Sequence, residues 1–287
     1  MDALRKITLM FTILASVGIV QAQSGNYAQV KGLNMYYETH GEKSGKEPIV
    51  LLHGAYATLS LWGDFLTELS KSRQVIALDF QGHGRTADID RPITYENMAD
   101  DVAGLIKHLK LEKADVFGYS MGGGVALQLG IRHPRLINKM VVASASYESE
   151  GVYPELTSMI DQLKPEYMEG TPFKNAYDTL SPNPDNFPVL MKKLIALDKT
   201  PQKWAAEDIA DIPCPLLFIN GDADIVKPEH TVEMYRLKGG GPTPDFMSAP
   251  QSQLAILPGT THIGVMERTD WLLAMIPGFL DTKSSSN

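Results

Sequence analysis

The sequence is poor in cysteine and in basic residues. Its 287 residues include a single cysteine, Cys214, which cannot form a disulfide within the chain, and this excludes a disulfide-stabilised scaffold. Cys214 lies between two prolines ahead of an apolar run, so we predict that it packs in the interior. Lys and Arg number 26 against 34 Asp and Glu, for a net charge of −8 without a basic cluster, which argues against a nucleic-acid partner.

The sequence also lacks internal repeats, and its long apolar run stands near the N-terminus. Residues 7–20 are apolar, follow Arg5 and Lys6, and lead to small residues that end at Ala22. The run is short for a bilayer span, so we predict a signal peptide over residues 1–22 that is cleaved after Ala22. An uncleaved anchor is the alternative, and a lipid anchor is not expected because no cysteine follows the run. We therefore predict that the protein is exported, either to the periplasm or out of the cell, and that it is not stably inserted in a membrane after cleavage.

Beyond residue 23, short apolar runs rich in β-branched residues alternate with longer segments of helical spacing. This alternation is typical of the α/β class, with a mainly parallel central sheet flanked by helices. Residues 147–207 differ, since prolines punctuate short helical segments there and strand-like runs are missing. We predict a core formed by residues 23–146 and 208–287, and an inserted helical cap of residues 147–207 over the carboxyl ends of the strands.

A candidate nucleophile lies between a predicted strand and a predicted helix. The segment Gly-Tyr-Ser-Met-Gly occupies residues 118–122, after the apolar run 114–117 and ahead of a helical stretch. A strand that turns into a helix within a few residues forces the central residue into a strained conformation and leaves no room for side chains at the flanking positions. We therefore predict that Ser120 is exposed at the carboxyl edge of the sheet, at the start of a helix.

A serine hydroxyl needs a base, and His262 is the strongest candidate for it. It lies just beyond the last predicted strand, where the chain leaves the same sheet edge that carries Ser120. His83 is predicted to be structural in its glycine-rich turn. Four other histidines are predicted to be solvated, namely His40, His108, His133 and His230.

The base needs an orienting carboxylate, and two aspartates compete for that role after a predicted strand. We choose Asp224, because Gly221 begins the turn and the third residue after it points back toward the sheet edge. Asp222 and Glu148 remain alternatives.

Acyl transfer concentrates negative charge on the former carbonyl oxygen, so backbone N–H donors must be aimed at it. We predict that Met121 and Ala55 provide the two donors of this oxyanion hole, with Tyr56 as the alternative to Ala55. His53 either braces the loop beside the site or contacts the substrate. Tyr56 and Tyr119 are predicted substrate contacts.

These motifs occur in the order His53-Gly54, Gly118-x-Ser120-x-Gly122, Gly221-x-x-Asp224 and His262. The order resembles the α/β-hydrolase superfamily, of the serine esterase or lactonase type with a helical cap, and the resemblance covers residues 26–282. It implies a covalent acyl-enzyme, and neither a cofactor nor a metal. Haloalkane dehalogenases and epoxide hydrolases of this fold carry an aspartate at the position of Ser120, so those activities are not expected.

The resemblance and the motifs together predict hydrolysis of a small-molecule carboxylic ester or lactone, including a bulky or cyclic one such as a macrolide. Alternatives left open are a cofactor-free perhydrolase or haloperoxidase, a carbon–carbon bond hydrolase, and a slow-turnover ligand receptor of the same fold. Residues 237–252 either border the substrate entrance or form a surface loop. Large cap side chains either face the substrate or pack the cap onto the core: Met159, Met168, Met191, Tyr153, Tyr167, Phe173, Tyr177 and Phe187.

Overall fold

The computed structural model describes residues 25–155, 160 and 163–282. The predicted signal peptide, residues 1–22, lies outside the described residues, as does Met159 of the cap. Across the described ranges, no helix combines the length and the apolar character needed to cross a bilayer.

Eight described strands form one sheet in the order β1-β2-β4-β3-β5-β6-β7-β8. The pairs β1–β2 and β2–β4 are antiparallel and the other pairs are parallel. The predicted α/β fold with a mainly parallel sheet is thus confirmed. The strands are β1 (Asn26–Val30), β2 (Leu33–His40), β3 (Ile49–Leu52), β4 (Val75–Leu78), β5 (Ala114–Tyr119), β6 (Ile137–Ala143), β7 (Leu216–Ala223) and β8 (Gln253–Thr261).

Helices cover both faces of the sheet because the side chains of each strand alternate between the faces. In β3, Val50 and Leu52 pack into one buried cluster, while Ile49 and Leu51 pack into the other. The first cluster includes residues of the helices α2 (Tyr95–His108) and α3 (Met121–Arg132). The second includes residues of α1 (Gly63–Leu69) and α9 (Thr269–Asp281). The described helices are α1 (Gly63–Leu69), α2 (Tyr95–His108), α3 (Met121–Arg132), α4 (Pro172–Leu180), α5 (Phe187–Lys199), α6 (Ala206–Ala210), α7 (Pro228–Leu237), α8 (Gly264–Glu267) and α9 (Thr269–Asp281).

The last strand is longer than the sequence predicts. The apolar run predicts a strand over residues 254–256, whereas β8 spans Gln253–Thr261 and includes Pro258. β8 pairs only with β7 and therefore forms an edge of the described sheet. An edge strand accommodates proline because one side of it needs no ladder hydrogen bonds. This extra length carries the chain to His262.

Between β6 and β7 the chain forms the predicted helical segment, with α4, α5 and α6. Its base is bound to the loop after β7, since Val152 forms an isolated bridge with Val226. The Tyr153 amide donates to the Ile225 carbonyl at 3.0 Å, and the Lys227 amide donates to the Gly151 carbonyl at 2.9 Å.

Cys214 is a buried free thiol, as predicted. Burial raises its pKa to about 12, so the side chain stays protonated and acts as a small apolar group.

Candidate active site

Ser120 occupies a strained turn between β5 and α3, with φ 55° and ψ −121°. Its N–H donates to the Ala143 carbonyl on β6 at 2.9 Å, which fixes the turn to the sheet. A Cβ atom on Gly118 would lie 2.1 Å from the Gly122 carbonyl oxygen, and one on Gly122 would lie 2.1 Å from the Leu52 carbonyl oxygen. Both distances are far below van der Waals contact, so the sequence pattern follows from the close approach of backbone to backbone.

The structure brings Ser120, His262 and Asp224 together in one hydrogen-bonded chain. His262 Nε2 lies 2.9 Å from Ser120 Oγ, and His262 Nδ1 lies 2.7 Å from Asp224 Oδ1. Ser120 follows β5, Asp224 follows β7 and His262 follows β8. Their proximity therefore depends on the parallel strands ending at one edge of the sheet. The imidazole is 18% exposed, and the Asp224 side chain is completely buried.

The Asp224 carboxylate is held in its ionised form. Burial alone would raise its pKa, but hydrogen bonds from His262 and Ser144 and from the Val226 amide outweigh burial and lower it overall. The Ser144 hydroxyl donates to Oδ2 at 2.6 Å and the Val226 amide donates to Oδ1 at 3.1 Å. The carboxylate therefore remains negative near neutral pH, where it can stabilise a protonated His262.

Ser144 is a site residue that the sequence analysis missed. It directly follows β6 and adopts a positive φ of 53°, which turns its hydroxyl toward Asp224. Its position immediately after a strand at the active edge is the signal that could have revealed it. Ser144 thus orients the carboxylate that in turn orients the imidazole.

Replacing Ser144 by alanine is expected to lower kcat about tenfold with little change in KM. A hydrogen bond to a charged group stabilises by about 1.5–3 kcal/mol, and its loss would let the Asp224 carboxylate rotate away from His262. Steady-state kinetics measure this, and thermal unfolding of the variant separates misplacement from misfolding. An increase in KM at unchanged kcat would contradict a positioning role.

Asp222 and Glu148, the alternative carboxylates, have other partners. Asp222 is exposed and accepts hydrogen bonds from the amides of Gly259 and Thr260, at 2.9 and 3.0 Å. These bonds stabilise the end of β8 just before His262 and lower the pKa of Asp222. Glu148 forms a backbone bridge with Lys203 at the base of the cap.

Tyr119 supports the imidazole from the other side. Its hydroxyl donates to the His262 carbonyl at 3.0 Å, and the two ring centroids are 5.3 Å apart. Tyr119 also lines the larger compartment with Ser120, and its contact with substrate stays a prediction.

The residues predicted for the oxyanion hole lie beside Ser120. Ala55 and Met121 both line the small compartment that contains the Ser120 hydroxyl. Met121 is the first residue of α3, so its amide has no acceptor within its own helix. Tyr56 has a positive φ of 61°, and it lines a larger compartment.

The structure does not place His53 in the cavity, so the predicted substrate contact is wrong. His53 is completely buried, and its Nδ1 donates to the Gly54 carbonyl at 2.7 Å. Its Nε2 accepts from the Phe80 amide at 3.2 Å, and its ring packs against His83. Burial lowers the pKa of His53 to about 3, so the imidazole stays neutral and braces the loop, the other role that the sequence allowed.

The prediction that His230 is solvated is also wrong, because the residue is buried. Its Nε2 lies 3.0 Å from the Ser146 hydroxyl, its Nδ1 lies 3.3 Å from Glu233, and its ring stacks on Tyr147. Residues at the base of the cap cover it, since Ser146 and Tyr147 both contact the ring. Glu148, His230 and Glu233 form one group of described residues close enough to hold a metal ion.

The cavity at the site has two compartments. The larger, of about 520 Å³, is mostly apolar and contains Ser120 and His262 in its wall. The smaller, of about 120 Å³, lies behind Ser120 against small residues that include Gly124 and Ala145. A separate cavity of about 490 Å³ beside the start of α2 contains none of the three hydrogen-bonded residues.

The large side chains of the cap divide between the cavity and the core. Tyr167 and Phe173 line the larger compartment, whereas Tyr177, Phe187 and Met191 are buried in the core cluster. Met168 packs against that cluster, and Tyr153 is exposed. Residues 237–252 line neither compartment, and Leu237 is the last residue of α7.

The sequence profile of the alpha/beta hydrolase fold matches residues 47–190. Among curated relatives, 2-hydroxymuconate semialdehyde hydrolase of Pseudomonas sp. (strain CF600) is 34% identical over 120 residues, which are 40% of this chain and 41% of that protein. The uncharacterized hydrolase YugF of Bacillus subtilis (strain 168) is 32% identical over 118 residues, 41% of this chain and 43% of that protein. The matched region spans about two fifths of these relatives.

Two solved structures share the fold over most of the chain. The enol-lactonase from Burkholderia xenovorans LB400 has a TM-score of 0.66 at 24% identity, covering 89% of this chain and 100% of that one. The meta-cleavage product hydrolase CumD from Pseudomonas fluorescens IP01 has a TM-score of 0.67 at 21% identity, covering 90% and 97%. With the profile over half of the sequence and this fold throughout the described core, the chain belongs to the alpha/beta hydrolase family.

Proposed function

We propose that the protein is a serine hydrolase that cleaves a carboxylic ester or lactone through a covalent acyl-enzyme. The observation that carries this proposal is the hydrogen-bonded chain from Ser120 Oγ through His262 to Asp224, at 2.9 and 2.7 Å. These distances allow the imidazole to accept the hydroxyl proton without any rearrangement of side chains.

In the proposed mechanism, Ser120 Oγ attacks the substrate carbonyl carbon while its proton moves to His262 Nε2. The carbonyl oxygen becomes negative and accepts hydrogen bonds from the amides of Ala55 and Met121. Asp224 stabilises the imidazolium, which then gives its proton to the leaving alcohol. A water molecule, deprotonated by His262, attacks the acyl-enzyme and releases the acid and the free serine.

The cavity favours a substrate with one bulky apolar part. The compartment of about 520 Å³ accommodates such a group, and the compartment of about 120 Å³ accommodates a short one. An ester bond between the two parts would place its carbonyl at Ser120, because Ser120 lines both compartments. A lactone fits if its ring lies in the larger compartment.

Carbon–carbon bond hydrolysis is the second candidate, supported by the likeness to 2-hydroxymuconate semialdehyde hydrolase and to CumD. A muconate derivative is an organic acid, and it would bring its negative charge into a cavity whose described wall contains the carboxylate of Asp198 and no lysine or arginine. This charge distribution favours esters and lactones without an acidic group.

We expect p-nitrophenyl esters to give a burst of p-nitrophenol close to the enzyme concentration, followed by steady turnover, because their good leaving group makes formation of the acyl-enzyme faster than its hydrolysis. Acyl chains of increasing length report which compartment receives the acyl group. Stopped-flow absorbance measures the burst, and mass spectrometry of quenched enzyme locates the acyl group on Ser120. A burst without turnover would indicate a receptor, and a muconate-type substrate cleaved faster than every ester would favour the second candidate.

A further inference from the structure

The cavity contains a charged group that the proposed hydrolysis does not use. Asp198, near the end of α5, lines both compartments together with Ser120 and His262. Among the described wall residues of the two compartments, it is the only carboxylate, and no lysine or arginine stands there. Asp198 is exposed to solvent and to the cavity, so a ligand in the cavity can reach its charge.

The surroundings of Asp198 leave its charge unbalanced. Asp198 is an exposed residue of the cavity wall. The protein around it still raises its pKa to about 6 by partial desolvation, and within the described ranges no side chain is hydrogen-bonded or ion-paired to it. Lys193, on the same helix, is bound instead to Asp88 at 2.7 Å. At neutral pH Asp198 is therefore largely ionised and lacks a cationic partner of its own.

Aromatic side chains line the same compartment as the Asp198 carboxylate. Tyr56, Tyr167 and Phe173 line the larger compartment with Asp198. Burial and, after it, the negative charge of Asp198 raise the pKa of the Tyr56 hydroxyl, and both residues line the same compartment. A carboxylate beside aromatic faces is the combination that binds alkylammonium groups, because the rings attract the cation and the carboxylate neutralises it.

We propose that Asp198 is a specificity-determining residue that binds an alkylammonium group of the substrate, so that the enzyme prefers esters carrying a cationic group within reach of Ser120. This inference rests on the proposed ester hydrolysis and names the substrate class of the same site. The net charge of −8 adds long-range attraction for such substrates.

The test uses pairs of esters that have the same shape and differ in charge. On the acyl side, p-nitrophenyl 4-(trimethylammonio)butanoate is compared with p-nitrophenyl 5,5-dimethylhexanoate. On the alcohol side, a choline ester is compared with the 3,3-dimethylbutyl ester of the same acid. The wild-type ratio of kcat/KM, cationic over neutral, is expected to reach at least about tenfold in one pair, as for a hydrogen bond or contact to a charged group.

Asp198→Asn is expected to bring this ratio to within about twofold of unity, because the amide keeps the shape and removes the charge. The ratio is the readout, since a general loss of activity affects both esters alike. Asp185→Asn is the matched control, because it removes an exposed carboxylate from the same cap segment and should retain the wild-type ratio.

A wild-type ratio near unity in both pairs, or a high ratio that survives in Asp198→Asn, would overturn the role of Asp198. These outcomes leave ester hydrolysis intact. Turnover of the neutral esters that persists at the wild-type rate in Ser120→Ala would instead overturn the proposed function itself.

Discussion

Replacing Ser120 by alanine is expected to lower kcat for ester hydrolysis at least about 10³-fold, because the variant lacks the atom that forms the acyl-enzyme. Substrate binding should change little, since the cavity walls and the amides of Ala55 and Met121 remain in place. The fold should also persist, because the Ser120 backbone is held by the hydrogen bond from its N–H to the Ala143 carbonyl rather than by its hydroxyl.

Three measurements on Ser120→Ala distinguish these expectations. Steady-state kinetics give kcat, a fluorophosphonate probe read by mass spectrometry reports loss of labelling, and thermal unfolding reports the fold. Ser60→Ala is the matched control, because Ser60 is an exposed serine outside the cavity and should retain full activity and labelling of Ser120. Turnover close to the wild-type rate in Ser120→Ala would show that another group is the nucleophile.

Replacing Asp224 by asparagine is expected to lower kcat about 10⁴-fold, the loss typical of this change in serine triads. The asparagine amide can donate to His262 Nδ1 and so favour the tautomer with the proton on Nε2. That tautomer cannot accept the proton of Ser120, although the side chains keep their positions. The loss should therefore appear in kcat at neutral pH, with the fold retained.

Asp222→Asn is the matched control for this prediction, since Asp222 lies at the end of β7 and Asp224 directly follows that strand. Asp222 contacts the amides of Gly259 and Thr260 rather than the imidazole, so its replacement should cost activity only a few-fold. Kinetics of the two variants side by side decide the assignment. The reverse pattern, with an inactive Asp222→Asn enzyme and an active Asp224→Asn enzyme, would assign the orienting role to Asp222.

The sequence carried enough information to predict how Ser120, Asp224 and His262 meet. Each follows a short apolar run, and parallel strands bring their carboxyl ends to one edge, so position along the chain predicts position in space. Choosing Asp224 over Asp222 needed only the geometry of a turn. The glycines at positions 118 and 122 marked the nucleophile because backbone contacts there exclude any side chain.

Features that depend on how distant elements pack could not be predicted in this way. Ser144 reaches Asp224 because β6 lies beside β7, and the order of strands in a sheet is not encoded in any local pattern. Asp198 looks like an ordinary polar residue of an amphipathic helix until the helix is placed over the cavity. The burial of His230 was missed for the same reason, and the choice between the two roles of His53 also depended on residues far away in the sequence.

The attachment of the cap to the loop after β7 links the base of the cap to the Asp224 carboxylate. Gly151 and Tyr153 are bonded to Lys227 and Ile225, and the neighbouring Val226 amide holds the Asp224 carboxylate. Separation of these two segments would shift the Val226 amide, and with it the carboxylate that this amide holds. The join between the inserted segment and the loop therefore also serves to keep Asp224 aligned with His262.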